Sequence, residues 1–352
     1  MIRSTLLMLC LISSADAEVR TTADPFGKMP KDGTVVWSPL FQATWDAMNA
    51  KMGGKPKKIE PPNELMARLD AFEWKADDVM PEGRWKTWAG EASADFLEQV
   101  NKEAAELTGE AKGPFTLGEG IPGTIACFGL LDREVEFEKP FHKSSGIPLK
   151  FGKEKIEVRF FGTKGDLADM YGDAVKVLAY RPVDGSHALE ISCKDADDKV
   201  ILYLPPAEQD FATACKWIRE WRKTHDSNAE LPGSWNDRRL HEGDEVRIPY
   251  VSLDVSNDLA GELQSGRIHG NAGDPWMIRR AEQRTKFELH EKGARVRAEV
   301  SIEADPFGAA PPRAVPRRFI HDRPFFVFMW REKAEWPYLG IWVGDASALQ
   351  GF

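Results

Sequence analysis

The clearest apolar patterning lies near the C-terminus. Phe325-Phe326-Val327-Phe328-Met329-Trp330 and Leu339-Gly340-Ile341-Trp342-Val343 are two nearly continuous apolar runs, separated by the charged stretch 331–337. Apolar runs of strand length around a short polar turn predict a buried hairpin. Upstream, Phe287-Glu288-Leu289-His290-Glu291-Lys292-Gly293 leads into residues 294–322, which carry no helical periodicity. A connection of that length without structure of its own is uncommon in a compact domain and is usually functional.

The remaining pattern predicts a mixture of helices and strands. Thr34-Val35-Val36-Trp37 reads as a short strand. Ser38-Pro39 then opens a helix, because a serine hydroxyl satisfies an orphan N–H and proline's fixed φ suits the first helical position. Leu40, Phe41, Trp45 and Met48 follow at helical spacing until Gly53-Gly54. Residues 55–63 read as a basic loop and 64–74 as a short helix. Residues 95–107 form an amphipathic helix with Phe96, Val100, Ala104 and Leu107 on one face. Residues 124–137 read as one strand and 156–161 as another. Residues 175–180, 188–193 and 200–204 form a three-strand meander, 211–222 a helix and 246–250 a further strand.

At 352 residues and 42% hydrophobic, the chain is long enough for a large core. A net charge of -9 argues against general nucleic-acid binding, because no broad basic face neutralises phosphates. Met1-Ile2-Arg3, an apolar stretch from Leu6 to Ser13, and Ala15-Asp16-Ala17 together read as a signal peptide over residues 1–17, too short to span a membrane. The expectation is a secreted, extracellular or periplasmic monomer with no membrane span. An irregular polar arm over residues 18–33 then precedes a single domain over 34–352. Cys10 leaves with the signal. Cys127, Cys193 and Cys215 sit among apolar neighbours and read as buried thiols, with pairing between any two left open.

No catalytic constellation is visible. Gly-x-Ser-x-Gly, His-Glu-x-x-His and a phosphate-loop lysine are all missing. Gly118-Glu119-Gly120-Ile121-Pro122-Gly123 has dinucleotide-loop spacing, but no strand precedes it and Pro122 interrupts it, so it reads as a plain loop. The seven histidines lack metal-ligand spacing, and Asp195-Ala196-Asp197-Asp198 reads as a hairpin turn. The sequence therefore predicts a non-enzyme with no catalytic residues, no metal and no cofactor.

Several short motifs occur in a telling order: Ser38-Pro39-Leu40, Phe137-Glu138-Lys139-Pro140-Phe141, Val246-Arg247-Ile248-Pro249-Tyr250, Glu291-Lys292-Gly293 and Arg323-Pro324-Phe325-Phe326. Their colinearity, from residue 34 to residue 345, resembles the serpin family. The resemblance implies an α+β, serpin-like fold of three β-sheets with surrounding helices and an exposed C-terminal reactive-centre-like loop. It also implies suicide-substrate inhibition, in which a protease cleaves the loop and the loop inserts as a new strand in the central sheet. Two departures stand out. The N-terminal half is short for the family, and the polar residues that pin the sheet opening fall near Gly129 and Gln283, where serpins carry Asn and His.

The hinge implied by the resemblance begins at Glu291 and Gly293. Beyond it, Ala294, Val296, Ala298 and Val300 alternate with Arg295, Arg297, Glu299 and Ser301. A strand with that alternation places the first set inward and the charged set outward, where no unpaired charge is buried. Two outcomes stay open: a loop that inserts, giving an inhibitor, or a stable edge that does not, giving a non-inhibitory binding or scaffold protein. The family's hinge-to-cut spacing places the scissile bond at Phe307–Gly308, which suits a chymotrypsin-like serine protease as partner. Arg313, Arg317 and Arg318 offer trypsin-like alternatives. Equally, Asp305-Pro306-Phe307-Gly308 reads as a simple turn, since Asp24-Pro25-Phe26-Gly27 repeats it.

Overall fold

The computed structural model describes residues 19–55, 58–117, 124–144, 146–226, 238–258, 263, 267–269, 277–295 and 316–352. The chain runs β1 Val19–Thr22, β2 Thr34–Trp37, α1 Leu40–Lys51, β3 Lys58–Glu60, α2 Glu64–Ala71, α3 Ala76–Val79, β4 Trp85–Glu91, α4 Ala94–Thr108, β5 Thr124–Leu131, β6 Glu134–Glu136, β7 His142–Lys143, β8 Leu149–Phe151, β9 Ile156–Val158 and β10 Phe160–Lys164. It continues through β11 Val175–Tyr180, β12 His187–Ser192, β13 Asp198–Leu204, α5 Phe211–Asp226, β14 Glu245–Pro249, β15 Val251–Asp258, β16 Arg267–His269, β17 Met277–His290, β18 Gly293–Arg295, β19 Arg318–Ile320, β20 Phe325–Arg331 and β21 Leu339–Val343.

Three sheets frame the molecule. A seven-stranded sheet has the order β1-β2-β21-β20-β13-β12-β11, and a four-stranded sheet the order β19-β14-β10-β7. A six-stranded sheet runs β4-β5-β17-β18-β6, with β15 also paired to β17. Among the described residues there are also two ribbons, β3-β16 and β8-β9. The expected hairpin β20-β21 lies at the heart of the seven-stranded sheet, with Phe326 opposite Trp342 and Phe328 opposite Gly340. Phe326 and Phe328 are fully buried, and each such ring contributes roughly 2 kcal/mol by leaving water. Phe211 of α5 packs edge-on to both. A Cβ at Gly340 would lie 3.1 Å from the Phe211 ring, so a larger residue there would have to push that ring aside by a few tenths of an ångström.

Four local readings change. Residues 18–33 are not wholly irregular, since β1 pairs in parallel with β2 as the edge of the seven-stranded sheet. Residues 55–63 contain β3. Residues 156–161 are two strands in different sheets: Arg159 donates its N–H to Gln350 O at the junction and turns the chain from β9 to β10. Residues 124–137 are β5 and β6, interrupted at Asp132-Arg133. The three cysteines Cys127, Cys193 and Cys215 are buried free thiols, and burial pushes Cys127 and Cys193 up to about 12. Gly118–Gly123 lies outside the described residues. Among the described residues, no helix is long and apolar enough to cross a membrane.

Two buried histidines join the seven-stranded sheet to the segment after β19. His187 and His321 stand edge to face, with ring centroids 4.6 Å apart. Each Nδ1 meets a backbone carbonyl, Gly185 O at 2.8 Å and Arg247 O at 3.1 Å. Burial holds His187 down to about 4, and burial together with His187 holds His321 well below its usual range. In the unfolded chain both titrate near pH 6.5. The folded state therefore binds fewer protons, and the stability this confers is present above pH 6.5 and lost as pH falls toward 4. At about 1.4 kcal/mol for each tenfold change in proton affinity, His187 alone accounts for roughly 3 kcal/mol. The urea midpoint is expected to drop between pH 7 and pH 4.5, and to drop less steeply in His187→Gln. An unchanged slope in that variant would contradict the assignment.

Candidate functional site at the opening of the six-stranded sheet

The long strand β17 ends at His290, and Glu291-Lys292 form a tight turn. The chain then folds back as β18, antiparallel to β17: Gly293 faces His290, Ala294 faces Leu289 and Arg295 faces Glu288. On its other side β18 is antiparallel to β6, with Gly293 facing Glu136, Ala294 facing Val135 and Arg295 facing Glu134. The three residues are thus wedged between two strands. Close approach demands glycine at the first of them, since a Cβ on Gly293 would run into the Val135 carbonyl oxygen. Ala294 is 0% exposed and packs into the main apolar cluster with Val135 and Leu289.

Below the wedge the sheet is closed. β5 and β17 pair directly in parallel from Thr124–Met277 to Gly129–Gln283. The offset between the strands at Gly129–Gln283 is the same as that across the wedge at Glu134–Glu288. The slot occupied by β18 is therefore in register with the closed ladder below it. Gly129 and Gln283, near which the sequence departs from the polar pair of the serpin pattern, face each other at the top of that ladder. Behind Gly129 lie Leu40 and Thr44 of α1, close enough that a Cβ at 129 would press on Thr44 Oγ1. Ser38 fixes the start of that helix: its hydroxyl accepts from Leu40 N–H at 3.1 Å and donates to Tyr338 O at 2.8 Å.

The turn at Glu291 is anchored from several directions. Phe141 N–H donates to Glu291 O and Phe137 N–H to Lys292 O, both at 2.7 Å. The Glu291 side chain, 7% exposed, accepts from the Tyr250 hydroxyl at 3.0 Å and lies 3.4 Å from Lys143 Nζ. Burial opposes its ionisation. Even so, a backbone N–H, the Tyr250 hydroxyl and Lys143 together hold the carboxyl below its usual range. Burial and the adjacent Glu291 carboxylate push the Tyr250 phenol up. At the strand break, Arg133 pairs with Asp195 and Asp198 on the β12–β13 turn, and Asp198 also accepts from Tyr338 Oη at 2.9 Å. This network fixes where β5 ends and β6 begins.

Of the sequence-predicted site residues, the structure brings Glu291, Gly293 and Ala294 together at the slot. Val296, Ala298, Val300, Phe307 and Gly308 lie outside the described residues. Tyr250, Lys143, Arg133, Asp198 and Tyr338 carried no local signal, because each acts through a partner distant in sequence.

No family model matches the chain, and no curated protein matches it. Solved structures do. A thyroxine-binding globulin in complex with thyroxine aligns over 89% of this chain and 92% of its own, at 12% identity and a TM-score of 0.51. Tengpin, a thermophilic serpin in its native state, aligns over 89% of this chain and 88% of its own, at 11% identity and a TM-score of 0.55. The chain has the serpin fold. The expected α+β architecture of three sheets with surrounding helices is the one observed.

Proposed function

We propose that the protein is a secreted, monomeric serpin-fold inhibitor that traps a chymotrypsin-like serine protease by loop cleavage and insertion. The observation that carries this reading is the seating of Ala294, fully buried in a slot that is in register with the ladder below. Continued one residue at a time, the antiparallel register of β18 puts Val296 opposite Phe287, Ala298 opposite Thr285 and Val300 at the Gln283–Gly129 pair. The inward set is then Ala294, Val296, Ala298 and Val300, all uncharged. The same register reaches the Met277–Thr124 end of the ladder at residues 305–306, immediately before Phe307. Cleavage at Phe307–Gly308 thus frees a segment of the length the sheet accepts. In that step the protease serine oxygen attacks the Phe307 carbonyl carbon, the amide bond to Gly308 breaks with its nitrogen taking a proton, and an ester remains. Insertion then carries the ester away from the loop's starting position.

The arm's copy of the bait sequence supports accessibility at such a turn. Asp24 Oδ1 accepts from Phe26 N–H at 3.0 Å, and Phe26 is 51% exposed. The fold by itself also accommodates a binding role, since the neighbour thyroxine-binding globulin is in complex with thyroxine; a non-inhibitory binding or scaffold protein is the second reading. Incubation with chymotrypsin separates the two. The inhibitor reading predicts a denaturant-resistant covalent adduct and a released peptide beginning at Gly308. Complete cleavage with no adduct would contradict it, and an adduct formed instead with trypsin at Arg313, Arg317 or Arg318 would move the partner class.

A further inference from the structure

β5 and β6 follow each other in the chain but belong to different bodies. β5 is paired with β4 on one side and with β17 on the other. Asp132 still follows β4, since its N–H donates to Arg84 O at 2.8 Å. β6 is paired instead with β18, and it is also stitched to the end of β12: Lys194 N–H donates to Glu136 O at 2.8 Å and Glu138 N–H to Ser192 O at 2.9 Å. The β4–β5 ladder ends at Leu131 and the β18–β6 ladder begins at Glu134. Arg133 stands between them, in neither ladder.

The side chain of Arg133 is what holds this joint. Its guanidinium bridges Asp195 in the β12–β13 turn and Asp198 at the start of β13, with Nε 2.9 Å from Asp198 Oδ2. Asp198 is 1% exposed, and its other oxygen accepts from Tyr338 Oη. A forked, charge-assisted contact to a buried carboxylate is strong and directional. The joint is thus fixed to the seven-stranded sheet, although no ladder of the six-stranded sheet stiffens it. Filling the slot further demands unequal movement on its two sides. Above it, β6 and β17 already stand apart with β18 between them. Below it, β5 is paired directly with β17, and an incoming strand has to part them by about 4.8 Å, the spacing of neighbouring strands. A chain that moves on one side and stays on the other bends at the few residues between its elements.

We infer that Arg133 is the pivot of this opening, a positioning residue that keeps β6 seated against β12 and β18 while β5 leaves β17 to admit the loop. The inference rests on the inhibitor reading and adds to it the residue that sets how fast the sheet opens. Speed decides the outcome, because the ester formed at Phe307 is hydrolysed whenever insertion lags. Without the guanidinium's hold, β6 follows β5, and the seat of Ala294 between β6 and β17 loosens just as the next residues have to enter.

The test mixes the full chain with limiting chymotrypsin and counts the share of cleaved chain that ends as covalent adduct. Arg133→Ala is expected to lower that share about tenfold, at an unchanged rate of loop cleavage. Asp195→Asn removes only the exposed partner and leaves the buried Asp198 paired. It is expected to lower the share by a smaller factor, and it carries the test should Arg133→Ala not fold. Arg133→Lys keeps one charge without the fork and is expected to fall between wild type and Arg133→Ala. Every variant, once cleaved, is expected to show the wild-type rise in thermal midpoint, because the pivot sets the rate of opening and not its end state. A share equal to wild type or above it in the variants that fold would overturn the pivot, and so would a cleaved variant without the midpoint rise. If wild type is cut without adduct yet gains the midpoint rise, the trapping of chymotrypsin fails alone, and the variants are compared by the time course of that rise. Wild type that shows neither adduct nor rise overturns the pivot together with the reading on which it rests.

Discussion

The Ala294→Arg variant is expected to lose adduct formation with chymotrypsin by a hundredfold or more while still being cut, on the order of the 3–5 kcal/mol that an unpaired buried charge costs. Ala294 is 0% exposed, flanked by Val135 and Leu289, and faces the main apolar cluster. A guanidinium placed there by the same backbone would be desolvated among apolar side chains. The variant therefore withdraws β18 from between β6 and β17, and every later residue loses its lead into the slot. The protease then completes hydrolysis before the loop inserts, which turns an inhibitor into a substrate. Ala294→Ser, which keeps the volume small and adds a single hydroxyl, is expected to retain most of the adduct. Wild-type adduct yield from Ala294→Arg would mean that insertion does not start at this residue.

The residues that made the fold legible are those whose pattern is local. The β20-β21 hairpin shows as apolar runs because it is buried on both faces in the middle of its sheet. Helix α1 shows through Ser38, Pro39 and its apolar spacing, and α4 through the apolar face of Phe96, Val100, Ala104 and Leu107; Ser93 and Gly109 cap its two ends in the structure. Of the alternating set, Ala294 is described, and it is buried between β6 and β17.

What the sequence did not disclose depends on distant partners. The break between β5 and β6 sits at Arg133, which pairs with Asp195 in the β12–β13 turn and Asp198 at the start of β13. The split at Arg159 depends on Gln350, near the other end of the chain. β1 is short and polar, Val19-Arg20-Thr21-Thr22, and becomes a strand because β2 offers it an edge. The Glu291 anchor needed Tyr250 and Lys143, which approach only once β7 and the β14–β15 corner have been placed.

On the proposed reading, the slot is also where the native state stores free energy. β5 and β17 are zipped below Gly129–Gln283 and parted by β18 above it, so the sheet is open at one end. A full strand between them would replace the direct β5–β17 ladder with main-chain hydrogen bonds on both of its sides, a net gain at about 1 kcal/mol for each extra bond. It would also bury the inward set Val296, Ala298 and Val300. On the proposed reading, cutting at Phe307–Gly308 is what lets that strand enter between β5 and β17.

The most direct test is the thermal midpoint of the intact protein against that of protein cleaved at Phe307–Gly308 and otherwise unchanged. Insertion predicts a rise on the order of 10 °C or more, since several kcal/mol are gained and each is worth about 2 °C in a protein of this size. An unchanged midpoint after complete cleavage would mean that the loop stays outside the sheet, and would contradict the trapping mechanism.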